Sequence, residues 1–209
     1  MRKIVVAMLL ALPTMAAAQP GMTPYYAQPP VAAPEPEPKA RLELSLGMAS
    51  PKGDWKDTIP ADQSPAFGIQ LGVNLSPNMS IFGGYRHVSV RLDEDTVDGG
   101  IPEDFELTHR ELQLGIRFTS PISPGAKLFI EGNVSSTKLS AEFEGESDSI
   151  SGVGAGVRGG VMFMADRKIG LGVAASYSNA GLSDDENSEG GEEFDDTWLG
   201  LDASLNIFF

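Results

Sequence analysis

The sequence predicts an all-β chain in which eight antiparallel strands close into an up-and-down transmembrane barrel, preceded by an export signal and a proline-rich tail. Three observations predict it. Eight stretches alternate apolar and polar residues with period two, strictly in the last and less cleanly in the third, which gives each strand one greasy and one wet face. The gaps between these stretches alternate short and long, as expected when all turns of one kind lie at one end of a barrel. The chain also opens with a secretory signal.

Residues 1–18 carry that signal: Arg2 and Lys3 give the positive start, Ile4 to Leu12 the apolar core and Ala16-Ala17-Ala18 the small-residue cleavage pattern. The apolar core is too short to span a bilayer. Residues 19–39 are rich in proline and alanine, with prolines at 20, 24, 29, 30, 34, 36 and 38. Proline removes the N–H that a strand ladder needs, so this segment is expected to be a disordered periplasmic tail. The barrel is expected over residues 40–209.

The greasy faces follow in order. Leu42, Leu44, Leu46 and Met48 share the first; Phe67, Ile69, Leu71, Val73 and Leu75 the second; Met79, Ile81, Tyr85 and His87 the third. Leu112, Leu114, Ile116 and Phe118 mark the fourth strand, and Leu128, Ile130 and Val134 the fifth. Val153, Ala155, Val157, Val161 and Phe163 mark the sixth, and Ile169, Leu171, Val173, Ala175 and Tyr177 the seventh. The last strand, TWLGLDASLNIFF, places Leu199, Leu201, Ala203, Leu205, Ile207 and Phe209 on one face. Short turns are expected at Ser76-Pro77-Asn78, Ser120 to Gly125 and Ala165-Asp166-Arg167. Longer loops are expected at about Ser50 to Ser64, Asp93 to Asp104, Glu144 to Ser149 and Asn179 to Asp196. An even strand count puts both termini at the short-turn, periplasmic end. Phe118, Phe163 and Phe209 then form an aromatic belt at that end, with Phe67, Tyr85 and Tyr177 near the opposite rim.

Composition narrows the function. The 209 residues carry a net charge of −14 and no cysteine. Strong acidity argues against nucleic acid as a partner, and the lack of cysteine excludes disulfides, thiolate metal sites and a lipidated N-terminal cysteine. Most of the acids fall in the four long loops, whose only cations are Lys52 and Lys56. Such loops attract Ca²⁺ or Mg²⁺ loosely, but the spacing defines no metal site.

Residues 41–209 resemble the eight-stranded bacterial outer-membrane barrels of the OmpA transmembrane-domain or OmpX kind. The resemblance rests on the alternation, the loop asymmetry and the C-terminal Phe209. It implies an outer-membrane location in a Gram-negative bacterium. It also implies a C-terminal assembly signal, here Leu205, Ile207 and Phe209, that is read by the barrel-assembly machinery. Nothing follows the final strand, so the peptidoglycan-binding domain of full-length OmpA-type proteins is not expected.

The wet faces place Arg41, Glu43, Arg86, Glu111, Arg117, Glu131, Arg158 and Asp202 in the lumen. Buried charges must be paired or they cost several kcal/mol each. Four acids against four arginines therefore predict a closed salt-bridge plug, of a kind that OmpA-type barrels also have. Gly152, Gly154, Gly156 and Gly160, on the inner face of the sixth strand, are expected to leave room for the arginines. Arg86, Arg117 and Arg158 are each expected to touch an acid. Outside, Arg91 ends the third strand, and Arg110 and Lys138 lie about 20–25 Å above the periplasmic belt, near the top of the apolar band. There they would meet lipopolysaccharide phosphates, or else pair with loop acids such as Glu103 or Asp104.

The expected function is non-catalytic: envelope structure and surface interaction, with outer-membrane lipid and lipopolysaccharide as partners and no cofactor. A narrow channel for ions or small solutes is the alternative. A lipid A hydrolase comes third, because His87-Val88-Ser89 resembles the His-x-Ser pair of PagL-type deacylases. The chain departs from that motif at Val90, where the family has Asn. The rest of the motif is displaced to Tyr177 through Leu182, with Ser176 at the histidine position. Glu103 is a weak counterpart for the orienting acid.

Overall fold

The computed structural model describes residues 38–53, 61–92, 105–143, 146–183 and 194–209. The readings of residues 1–18 as a signal and 19–37 as a tail, and the acidic stretches at 54–60, 93–104 and 184–193, lie outside the described residues. Eight strands run in order: β1 (Ala40–Gly53), β2 (Ser64–Ser76), β3 (Met79–Val90), β4 (Glu106–Ser123), β5 (Ala126–Phe143), β6 (Glu146–Met164), β7 (Ile169–Ser183) and β8 (Phe194–Phe208). Each pairs antiparallel with its sequence neighbours, and β1 pairs with β8 to close the barrel. Closure leaves no unpaired strand edge in lipid, where an unsatisfied backbone group costs several kcal/mol.

The seam is tied to the last residue. Phe209 accepts hydrogen bonds at its carbonyl from the Lys39 and Ala40 amides, at 3.0 and 2.8 Å, and its own amide donates to the Ala40 carbonyl at 3.0 Å. At the same end Asp166 caps the β6–β7 turn, its Oδ1 accepting from the amides of Lys168 and Ile169 at 2.6 and 2.8 Å. This is the local bonding that makes aspartate a turn residue.

The outer wall inverts the rule for water-soluble domains. Leu46, Leu71, Leu114, Val153 and Leu201 are all exposed, Val153 at 77 %. Such a continuous apolar band needs a non-aqueous neighbour. Phe118, Phe163 and Phe209 stand outward at the periplasmic rim. Near the other rim Phe67 packs against Tyr85 and His87, with ring centroids 6.1 and 5.2 Å apart.

Three expectations are corrected. The turn anticipated over Ser120 to Gly125 shrinks to Pro124-Gly125, because β4 runs on to Ser123. Pro121 is accommodated opposite Lys127 beside a register shift, the kind of irregularity at which proline's missing N–H is tolerated. Strands β4, β5 and β6 reach 18, 18 and 19 residues, well beyond the 9–11 that cross a bilayer. The loop bounds expected at Asp104 and Glu144 agree with the observed start of β4 and end of β5, whereas the loops expected over Glu144 to Ser149 and Asn179 to Asp196 shrink, because β6 begins at Glu146, β7 runs to Ser183 and β8 begins at Phe194. Finally, the glycines of β6 make room for β7 and not for arginines. A Cβ at Gly152, Gly154 or Gly160 would meet the backbone of Gly181, Asn179 or Val173. The small residue permits close strand approach.

Candidate functional site in the barrel lumen

The lumen is filled in layers. At the periplasmic end Phe129, Met162, Ala174 and Phe208 form a buried apolar cluster. They occupy inward positions among otherwise polar ones. The Phe129 ring lies under two guanidinium groups, 4.3 Å from Arg117 and 5.3 Å from Arg158. Flat cations stack well on such a face.

Above it sits an ion-pair layer. Arg117 (β4), Glu131 (β5) and Arg158 (β6) are direct cross-strand neighbours. Arg117 donates from Nε to Glu131 and from Nη2 to Glu43 Oε2 at 2.5 Å. Arg158 grips Asp202 Oδ2 with Nε and Nη2, at 2.9 and 2.6 Å, and Glu43 Oε1 with Nη1 at 2.6 Å. Arg41 stands farther off, 3.8 Å from Glu131 and 4.0 Å from Glu43, with Gln70 as its hydrogen-bond acceptor at 3.3 Å. Glu43 and Glu131 therefore each bridge three arginines. Three cations against three acids leave the layer formally neutral, and each of the three carboxylates has at least one charged donor, as burial requires.

Two of the eight residues assigned to this network do not join it. Arg86 and Glu111 are cross-strand partners, yet among the described residues no carboxylate lies within 4.0 Å of Arg86, and Glu111 accepts instead from Gln113 Nε2 at 2.7 Å. The expectation that Arg86 contacts an acid is thus corrected. Its side chain reaches across the lumen to β7 and β8, where Nη2 lies 2.5 Å from where a Cβ of Gly200 would stand. Gly200 is what admits the long side chain.

The outer end of the lumen was not anticipated at all. Ala49, Val88, Val90, Leu107, Leu139, Ala180, Leu182 and Trp198 form a second buried apolar cluster. Within it His109 Nε2 meets Asp196 Oδ2 at 2.7 Å, and Trp198 Nε1 donates to Asp196 Oδ1 at 2.6 Å. The His109 and Trp198 rings pack 5.0 Å apart. Strand parity carried the signal: His109 shares the face of Glu111, and Asp196 and Trp198 share that of Asp202.

On the outer wall Arg110 and Lys138 are exposed and directly paired across β4 and β5, with His87 opposite Arg110 on the other side. Arg91 is exposed beyond the end of β3. Among the described residues none of the three cations has a carboxylate within 4.0 Å; Glu103 and Asp104 lie outside those residues. His87 Nε2 and Ser89 Oγ are 3.2 Å apart. At the seam Leu205 and Ile207 are half-buried and Phe209 exposed. No group of three or more possible metal ligands occurs among the described residues.

Comparison with known proteins agrees with this architecture. The family model for the outer membrane protein beta-barrel domain matches residues 4–206. Among solved structures the chain is similar to Neisserial surface protein A, at 11 % identity and a TM-score of 0.63, over 81 % of this chain and 97 % of that one. It is also similar to Ail, the attachment invasion locus protein of Yersinia pestis, solved with the heparin analogue sucrose octasulfate. That match has 17 % identity and a TM-score of 0.50, over 82 % of this chain and 99 % of Ail. At such identities the likeness concerns the fold alone. No curated protein sequence matches the chain. The strands, the lipid-facing wall and the family match lead to one conclusion: the chain belongs to the outer-membrane β-barrel protein family and resides in the outer membrane.

Proposed function

We propose that the protein is a non-catalytic outer-membrane barrel serving envelope structure and surface interaction, with its lumen closed by a charged plug. The ion-pair layer carries this reading. Glu43 and Glu131, each about 1 % exposed at the side chain, tie together arginines from β1, β4 and β6, and such a bonded cross-brace opposes the passage of solutes. Planar-bilayer recording tests it. The expected record is flat; steady single-channel steps would favour the runner-up, a narrow channel for ions or small solutes.

The outer cations Arg91, Arg110 and Lys138 are proposed to hold lipopolysaccharide phosphates. The paired exposure of Arg110 and Lys138 near the rim supports this, since cations are nearly free at that height and costly at mid-depth. Leu205, Ile207 and Phe209 are proposed as the signal for the assembly machinery. Removing Phe209 should slow insertion in the presence of that machinery more than it slows spontaneous insertion into detergent.

One observation favours a second reading, a lipid hydrolase. The 3.2 Å His87–Ser89 contact is compatible with a general base beside a nucleophile. Among the described residues no carboxylate hydrogen-bonds the His87 ring to orient it, so the non-catalytic reading is preferred. Loss of lipid A acyl chains on expression, abolished by Ser89→Ala, would reverse that preference.

A further inference from the structure

On the outer wall, just below Arg110 and Lys138, a groove opens over Ser136. Leu112 and Leu114 of β4 flank it on one side and Val153 of β6 on the other, with Val134 at its lower end. We propose that this groove seats one acyl chain of a single lipopolysaccharide molecule, held as a defined ligand with its phosphate on Arg110 and Lys138 and the carbonyl of its acyl linkage on the Ser136 hydroxyl. This extends the proposed role of Arg110 and Lys138 as phosphate ligands and depends on it.

The two cations call for a shared anion. Arg110 and Lys138 stand directly opposite one another on β4 and β5, and both are exposed. Like charges so placed repel. The acids on the same outward faces, Glu106 and Glu142, pair four residues higher, about 13 Å along the strands. A phosphate between the cations removes the repulsion and suits a guanidinium and an ammonium alike. Ser151, opposite Lys138 on β6, adds a hydroxyl to the same row.

Ser136 supplies an independent observation. It is an exposed polar residue on the lipid-facing side of β5, set between Leu112 and Val153, which are 63 and 77 % exposed. Among the described residues nothing hydrogen-bonds its hydroxyl. A hydroxyl turned toward hydrocarbon without a partner is costly, whereas an ester or amide carbonyl accepts from it. Ser136 lies two residues below Lys138, about 6–7 Å along the strand. Cation pair, hydroxyl and apolar groove thus succeed one another down the wall. Phosphate, acyl carbonyl and alkyl chain succeed one another in the same order in a membrane-embedded phosphorylated lipid.

Position and charge select the lipid. The site lies toward the end of the barrel opposite the termini, in the outer leaflet, where the phosphorylated lipid is lipopolysaccharide. Its phosphate monoesters carry nearly two negative charges each, against one for a phospholipid diester. A second barrel meeting this face symmetrically would set cation against cation.

Native mass spectrometry of the delipidated, refolded barrel titrated with purified lipid A is the test. Wild type should retain one lipid A. Ser136→Leu fills the groove while both cations stay, and should weaken binding about tenfold. Ser136→Ala removes only the hydroxyl and should weaken it about threefold, which covers the case of Ser136→Leu failing to fold. Phosphatidylglycerol should be retained less than lipid A. Heat-modifiable electrophoretic migration identifies folded protein in each sample. Wild-type affinity in both Ser136 variants, with loss in Arg110→Gln combined with Lys138→Gln, would overturn the groove and leave the phosphate patch standing. Unchanged affinity in all of these variants would remove both. Equal retention of phosphatidylglycerol would overturn the assignment to lipopolysaccharide.

Discussion

The two ends of the lumen solve the same problem by opposite means. Toward the periplasm, arginines and acids from both sides of the barrel neutralise one another above a single phenylalanine platform. Toward the outside, apolar side chains fill the space, and the buried His109–Asp196 pair is enclosed by them. In the charged layer Glu43 and Glu131 each hold three arginines, so stability is shared through a network. In the apolar end, stability comes from packing volume, and loss of one side chain is felt locally. The difference teaches that an eight-stranded barrel constrains the lumen to be filled, but not with what.

The largest effect should come from cutting the network. Arg158→Ala leaves Asp202 without its arginine and Glu43 with one donor fewer and should destabilise by about 3–5 kcal/mol. Denaturant unfolding of the refolded barrel measures it; an unchanged midpoint would mean that the layer is not organised around Arg158. Replacing Arg41, Arg117, Arg158, Glu43, Glu131 and Asp202 together by apolar residues of similar volume should cost far less than the single cut, because the three cations and three acids vanish in balance. That result would make the two ends energetically equivalent, and a larger loss would show that the charges add stability beyond filling space.

Trp198→Ala should come next, at about 3 kcal/mol, through the cavity left in the outer cluster. Unlike the charged layer, this site should be rescued by Trp198→Phe in all but the bond to Asp196. Asp196→Leu removes the acceptor shared by His109 and Trp198 and should cost about 1–3 kcal/mol for the orphaned donors. Hydrogen exchange of the upper β4 and β8 amides would localise that loss to the outer end.

The smallest effect on stability is expected on the outer wall. Replacing Arg91, Arg110 and Lys138 by Gln should move the unfolding free energy by less than about 0.5 kcal/mol, while reducing lipopolysaccharide co-purification in a salt-dependent way. Unchanged lipid content in the triple mutant would leave the phosphate patch without support.

Strand number, strand direction and the lipid-facing residues were legible in the sequence because period-two alternation is a local property. Each strand declares its two faces without reference to any other. The same rule identified Arg117, Arg158, Glu43, Glu131 and Asp202 as lumen residues. It also held the signal for His109, Asp196 and Trp198, which was passed over because an apolar or aromatic residue on the wet face breaks no turn and makes no motif. The start of β6 was hidden, since Glu146-Ser147-Asp148-Ser149 is polar on both faces and alternation vanishes there.

What the sequence by itself determined is therefore the wall: a membrane-crossing barrel of eight strands, with its termini at the short-turn end. What only the tertiary structure decided is the pairing across the lumen. Arg86 and Glu111 are neighbours in register and equal in charge count, yet Arg86 reaches past Glu111 to the opposite wall at Gly200. Counting charges cannot foresee that, because side-chain reach, the space left by one glycine and the shear between strands fix which partners meet, and each of these depends on residues far apart in the chain.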